Sequence, residues 1–185
     1  VAVTVDSEGV ITDCAIDQAQ SKVNFNTAGE LVTPMDAFFM TKNELGADYG
    51  MGKASTLGKE WNEQAETFAQ YVIGKTAAEV GGIAISEGYA ADEDLKASVT
   101  VHINDFMAGV EKAVANASEL GADRADKVSI AAVTNISKSK NAADDENGLA
   151  QVYTTYVAMT QNAEGTITSC IFDGSQSNVI ATYVV

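Results

Sequence analysis

The chain has 185 residues, 46% of them apolar, and 26 acidic against 11 basic side chains give a formal net charge of −15. That length carries one ordinary domain or two small ones around a packed core, and that charge repels nucleic acid and anionic lipid surfaces. A single Arg (Arg124), a single His (His102) and a single Pro (Pro34) exclude an Arg-cluster phosphate clamp and a zinc site needing several histidines.

No stretch approaches the roughly 18 apolar residues that a membrane-spanning helix needs, and no signal peptide is visible. The chain opens at Val1, inside what reads as a strand, so the expectation is a terminus that has been processed, trimmed or left out. Val3–Val5 alternates as a strand, Asp6-Ser7-Glu8-Gly9 is a turn, and Val10–Asp17 is the return strand. Period 2 then places Val10, Thr12, Cys14 and Ile16 toward a core. Thr41–Gly52, with three glycines, reads as loop. Lys59–Ile73 reads as a helix, because Trp61, Ala65, Phe68 and Val72 form one stripe and Glu60, Glu63 and Glu66 lie on other faces. Gly74 ends it.

Thr76 and Glu79 form a capping box for a short helix stopped at Gly81-Gly82. Ile83–Ile85 reads as a strand and Ala91–Ala97 as a helical turn with acidic residues at its positive end. Asn104 caps a third helix running to about Ala117, with Phe106, Val110, Ala113, Val114 and Ala117 on its apolar side. Ser118–Asp126 is an acidic, glycine-containing linker, Lys127–Ile136 a strand and Ser137–Gly148 a polar loop. Strands, then helices, then strands give an α+β fold, with helices packed on one face of an antiparallel sheet.

The remaining segment repeats the first. Val157–Val179 aligns without gaps on Val1–Val23, with about half the positions identical. The identities include Glu8/Glu164, Gly9/Gly165, Ile11/Ile167, Cys14/Cys170, Asp17/Asp173 and Gln20/Gln176. The two copies have different neighbours, so the module is repeated out of phase. Residues 1–117 form a module lacking its first strand, 118–126 a linker, and 127–185 the opening strand and hairpin of a second copy. Two origins fit: a window from a tandem array, or a C-terminal piece that completes a module lacking its own first strand. Completion within one chain is a circular permutation; completion between chains is self-association through terminal strands, head to tail. Cys14 and Cys170 read as small buried hydrophobes, with a disulfide or reactive thiol as the alternative.

No hydrolytic constellation, GxGxxG or P-loop occurs. His102, beside a helix start, reads as a surface or capping residue. The carboxylates spread over helix faces as a solvated exterior, and Asn141–Gly148 lacks the alternating ligands of a calcium loop.

One ordered series remains: the strand–turn–strand Val3–Asp17, then Glu44-Leu45-Gly46, Trp61-x-x-Gln64 leading through Phe68 to Gly74-Lys75, and Asp94–Thr100 ahead of an Ala/Val-rich helix. This series resembles the FMN-binding domain of flavin-bearing subunits in bacterial ion-pumping oxidoreductases and of secreted redox proteins. The segments Asp13–Gln20, Thr41–Met51, Gly58–Gln64, Ser98–Thr100 and Glu111–Val114 also look like a narrower group, the secreted or lipid-anchored repeat proteins of Gram-positive anaerobes.

The wider family implies FMN, attached by a flavin transferase through its phosphate to the last Thr or Ser of a D-x-x-S/T-G-A-T/S motif. Here Thr100 matches the acceptor and Asp94 the acid, while Ala97, Ser98 and Val99 replace the family's Ser/Thr, Gly and Ala. Serine at 98 matters most, because glycine serves where backbone closely approaches a ligand. The resemblance further places Leu45, Gly46 and Trp61 around the flavin ring, with Trp61 as a core residue the competing reading. Thr100 also fits a half-buried strand in which Val99, Val101 and Ile103 alternate with Thr100 and His102.

The resemblance implies an extracytoplasmic location, secreted or anchored at the cell surface. Three functions follow: a flavin electron carrier, a cofactor-free structural surface repeat that assembles into filaments, and a binding module for a small envelope ligand.

Overall fold

The computed structural model describes residues 1–143 and 146–181; Asp144 and Asp145 of the polar loop and the last four residues lie outside the described residues. The fold is mixed α+β. In chain order it runs β1 (Ala2–Val5), β2 (Ile11–Ala15), α1 (Lys42–Leu45), a 3-10 turn (Gly46–Tyr49), α2 (Trp61–Val72) and α3 (Ala77–Gly81). It continues through β3 (Ile85–Ser86), β4 (Tyr89–Ala90), α4 (Glu93–Lys96), α5 (Asn104–Ala115), β5 (Lys127–Asn135), β6 (Gly148–Gln161) and β7 (Ile167–Ala181). The single sheet expected from sequence is instead three: β1-β2, β3-β4 and β5-β6-β7.

The chain folds as two compact units, each built from separated stretches. One comprises Val1–Gln18, Lys42–Ala131 and Val157–Ile171; the other comprises Ala19–Thr41, Ala132–Tyr156 and the chain from Phe172. Neither unit is bounded at 118–126. That segment lies wholly in the first unit, where Asp126 is buried and accepts a hydrogen bond from Thr168 Oγ1.

The core of the first unit joins the β1-β2 hairpin to a helical layer. Helix α2 packs on β2, α5 on β1 and α3 on α5. Ile11, Cys14 and Ile16 share one buried cluster with Ala65, Phe68, Ala69 and Val72 of α2 and with Phe106, Met107 and Val110 of α5. The α2 stripe read from sequence is thus the buried one. Thr76 and Glu79 make the expected capping box, each closing the other's free backbone N–H at the start of α3. Helix α5 starts at Asn104 itself: Ile103 holds the cap position without a side-chain bond, and Asn104 turns to Asp105.

Four other expectations are corrected. Thr41–Gly52 is not loop throughout, because α1 and the 3-10 turn occupy 42–49; the left-handed Gly50 (φ +77°) ends the turn. Val10 and Thr12 are half-buried while Ile11 and Asp13 are buried, since the β1-β2 register shifts between Thr4 and Val5 and breaks the period-2 pattern. Val99–Ile103 is not a strand; the Thr100 N–H goes to a side chain rather than a ladder. Cys170 is exposed, unlike the buried Cys14.

The second unit has a more polar interior. Ile136 is fully buried, but its neighbours in the buried set include Thr134, Ser139 and Thr154. The hydroxyls of Thr134 and Thr154 bond at 2.8 Å, and Ser139 Oγ accepts the Gln151 N–H at 3.0 Å. Isolated bridges Phe25–Leu31 and Phe39–Thr134 tie its long irregular segment.

Candidate functional site

The residues named by the flavin resemblance converge only partly. Trp61 opens α2 and is 4% exposed; its ring meets Phe106 edge-on at 5.6 Å. The Lys42 ammonium lies 4.9 Å from the Trp61 ring centre and 4.8 Å from that of Tyr49. This cation–π stack buries a lysine that would otherwise need an acidic partner. It also fixes α1, and with it the half-buried Leu45 and Gly46, beside the start of α2.

Gln64, one turn further along α2, is the hub that sequence reading missed as a site residue. It is fully buried, and both ends of its amide are used. Oε1 accepts the Thr100 N–H at 2.7 Å and the Thr100 hydroxyl at 3.2 Å. Nε2 donates to the Lys59 carbonyl at 3.1 Å and to Ser55 Oγ at 3.3 Å. A buried amide is tolerated only when it is satisfied in this way. The signal was present in sequence: Gln64 lies three residues after Trp61 and next to Ala65, inside the apolar stripe.

The loop before α2 is held just as closely. Glu60 Oε2 accepts the Met51 N–H at 2.8 Å, and Glu63 Oε2 accepts the Glu60 N–H at 2.7 Å. A Cβ on Gly52 would meet Glu60 Oε1 at 2.7 Å, so glycine there leaves room for the Glu60 carboxylate in the position from which it holds Met51.

Asp94 is exposed on α4, whose cap is Asp92, accepting the N–H groups of Asp94 and Leu95. Ser98 is half-buried in the turn after α4, and Val99 is buried. Thr100 is half-buried, with its hydroxyl turned to Gln64. Tested against a flavin, this donor set is already engaged inside the fold: the Trp61 ring carries Phe106 and Lys42, and the Thr100 N–H carries Gln64. These residues do not fit the group in the arrangement they hold.

A separate cavity of about 320 Å³ is lined by Tyr71, Lys75, Glu79, Gly82, Ile83, Ala84 and Asp92. Its charged groups are also committed: Lys75 lies over the Tyr71 ring at 4.4 Å, Glu79 closes the α3 box, and Asp92 caps α4. Hydrogen bonds from the Thr76 N–H and hydroxyl hold the Glu79 carboxyl below its usual range. Among the described residues no cluster of three or more His, Cys, Asp or Glu is placed to hold a metal, and no helix is long and apolar enough to cross a membrane.

The two repeated hairpins form the second candidate. Their turns coincide bond for bond. Asp6 Oδ1 accepts the N–H groups of Glu8 and Val10, both at 3.0 Å; Asn162 Oδ1 accepts those of Glu164 and Thr166 at 3.2 and 2.9 Å. Gly9 and Gly165 both take positive φ, +76° and +79°. Thr12 and Thr4 pair across the first hairpin at 2.8 Å, as Thr168 and Thr160 do across the second. Asp17 and Asp173 each accept the next residue's N–H at 2.7 Å.

Their surroundings do not coincide. Ile11 is 1% exposed and Ile16 5%, whereas their counterparts Ile167 and Phe172 are 56% and 70% exposed. Burial pushes the Cys14 thiol up to about 12, while Cys170 lies open. Family models, curated proteins and solved structures, compared with this chain, give no match.

Proposed function

We propose that this chain is a cofactor-independent structural module of an extracytoplasmic repeat protein, built on an FMN-binding-domain-like plan and assembling through its hairpins. One observation carries the reading. Trp61 and Thr100, side chains that the flavin resemblance singles out, close with Gln64 and the loop before α2 into a satisfied interior. They act as packing and as a staple between 55–59 and 100. The uncovered second hairpin, described above, supports assembly, because a long exposed edge strand with apolar side chains is a surface for pairing or docking. The charge of −15 then serves as a solvated exterior.

The flavin electron carrier is the second reading. It is favoured by the meeting of Lys42–Gly46, Trp61 and Thr100 at one end of α2, where Thr100 is half-buried rather than enclosed. A flavin there would require Thr100 to leave Gln64. One experiment separates the two. The whole chain is co-expressed with a flavin transferase and analysed by intact mass and visible absorbance. The structural reading expects a colourless protein of unmodified mass. A yellow protein whose mass rises by one FMN, lost in Thr100→Ala, would overturn it.

A further inference from the structure

We infer that the Ile167–Cys170 face of the second hairpin is a docking surface for a helical layer of the α2–α5 kind, supplied by another module. The inference rests on the structural reading above and names the partner's chemistry.

The occupant is identified by what covers the first hairpin. The turn bonds and the cross-strand threonine pair are the same in both hairpins. The backbone frame is therefore shared over the turn and the first residues of each return strand, up to Ala15 and Ile171, where β2 ends and β7 runs on. On that frame Ile11 and Cys14 share one buried cluster with Ala65, Phe68, Ala69 and Val72 of α2 and Phe106 and Val110 of α5. The second hairpin presents Ile167 and Cys170 at the positions matching Ile11 and Cys14, equally apolar and uncovered.

The required partner surface has three properties. It carries a stripe of small residues flanked by aromatic and β-branched ones, as α2 does. It is helical, because the first hairpin meets helices α2 and α5 there rather than a strand. Its residues near the strand must be uncharged, since the only charged residue of β7 is Asp173. An anionic or cationic peptide without that stripe would bring charge onto apolar surface at a desolvation cost.

Cys170 reports occupancy directly. In the chain itself it should react with an alkylating reagent while Cys14 does not. The test extends the full chain after Val185, the counterpart of Gly29, with a second copy of residues 30–117. Cys170 alkylation should then slow about tenfold or more, as expected for a thiol that reacts only through local opening. Ile167→Asp in the extended chain should restore the fast rate and leave Cys14 protected. An extended chain whose Cys170 reacts as fast as in the unextended one overturns the proposal, whether or not circular dichroism shows the added segment to be helical. Protection of Cys170 in the unextended chain at high concentration also overturns it, in favour of a contact between two copies of β7. A yellow protein that nonetheless protects Cys170 when extended would remove the cofactor-independent reading and leave the docking surface standing.

Discussion

Hairpin β1-β2 and hairpin β6-β7 share a turn, a threonine pair and a cysteine position, and yet one is interior and the other is surface. The difference lies in the cover. Asp6 and Asn162 bond their own turns whatever lies outside, because these are contacts across two to four residues. Burial of Ile11 depends on α2, whose first residue is fifty positions downstream. Local chemistry thus repeats wherever its sequence does, while packing repeats only where the partner is also supplied.

The sharpest way to break this comparison is one substitution made at both matched positions. Ile11→Ala removes a fully buried side chain and should cost about 2–5 kcal/mol. Ile167→Ala removes an exposed one and should stay within about 0.5 kcal/mol. Urea unfolding of the two variants measures both. Equal losses would mean that the second hairpin is already covered in solution, and the contrast between the hairpins would fail.

A smaller effect tests whether the helical layer is what separates them. Gln64→Leu keeps the volume of the side chain but leaves the Thr100 N–H and the Lys59 carbonyl without their buried partner. The expected loss is about 1–3 kcal/mol. The informative readout is thiol alkylation: Cys14 should become more reactive as the layer loosens, and Cys170 should not change. An equal rise at both thiols would show that Gln64 stabilises the whole chain rather than the cover of the first hairpin.

What could be read in the sequence follows the same division. The turns, the α2 stripe and the Thr76–Glu79 box were legible because each is set by residues within one or a few turns of each other. The exposure of Cys170 was not, since identity with Cys14 says nothing about the cover. Nor was the α1 turn, where three glycines suggested loop; its order comes from Lys42 stacking on Tyr49 and on Trp61, the latter nineteen positions along. The candidate site was half-legible. Trp61 and Thr100 were both picked out, but the residue that joins them, Gln64, was quoted only as part of a motif, because its role depends on a backbone donor thirty-six positions away.

The smallest predicted effect probes how the second hairpin is held within the first unit, and it is read through pH. Thr168 Oγ1 donates to Asp126 Oδ2 at 2.5 Å, Thr160 in turn donates to Thr168 at 2.8 Å, and Ser169 to Thr160 at 2.7 Å. In the first hairpin the Thr12–Thr4 pair is likewise 2.8 Å, but the carboxylate nearby is Asp13, one residue along, which accepts the Val128 N–H instead. The Thr168 hydroxyl, and after it the Asp123 N–H, hold the Asp126 carboxyl below its ordinary value. A carboxyl lowered in the folded state contributes stability that is present above the unfolded value, near pH 4, and is lost as pH falls through the lower folded value. Thr168→Val removes the larger cause. Its urea midpoint should fall below wild type at neutral pH, and the gap should close as the solution is acidified below about pH 4. Asp126→Asn should shift stability in the same pH-dependent way and make Thr168→Val nearly neutral in its background. A gap that keeps its size down to acid pH would assign the loss to threonine packing alone, and would leave the second hairpin anchored by its turn and strand pairing rather than by Asp126.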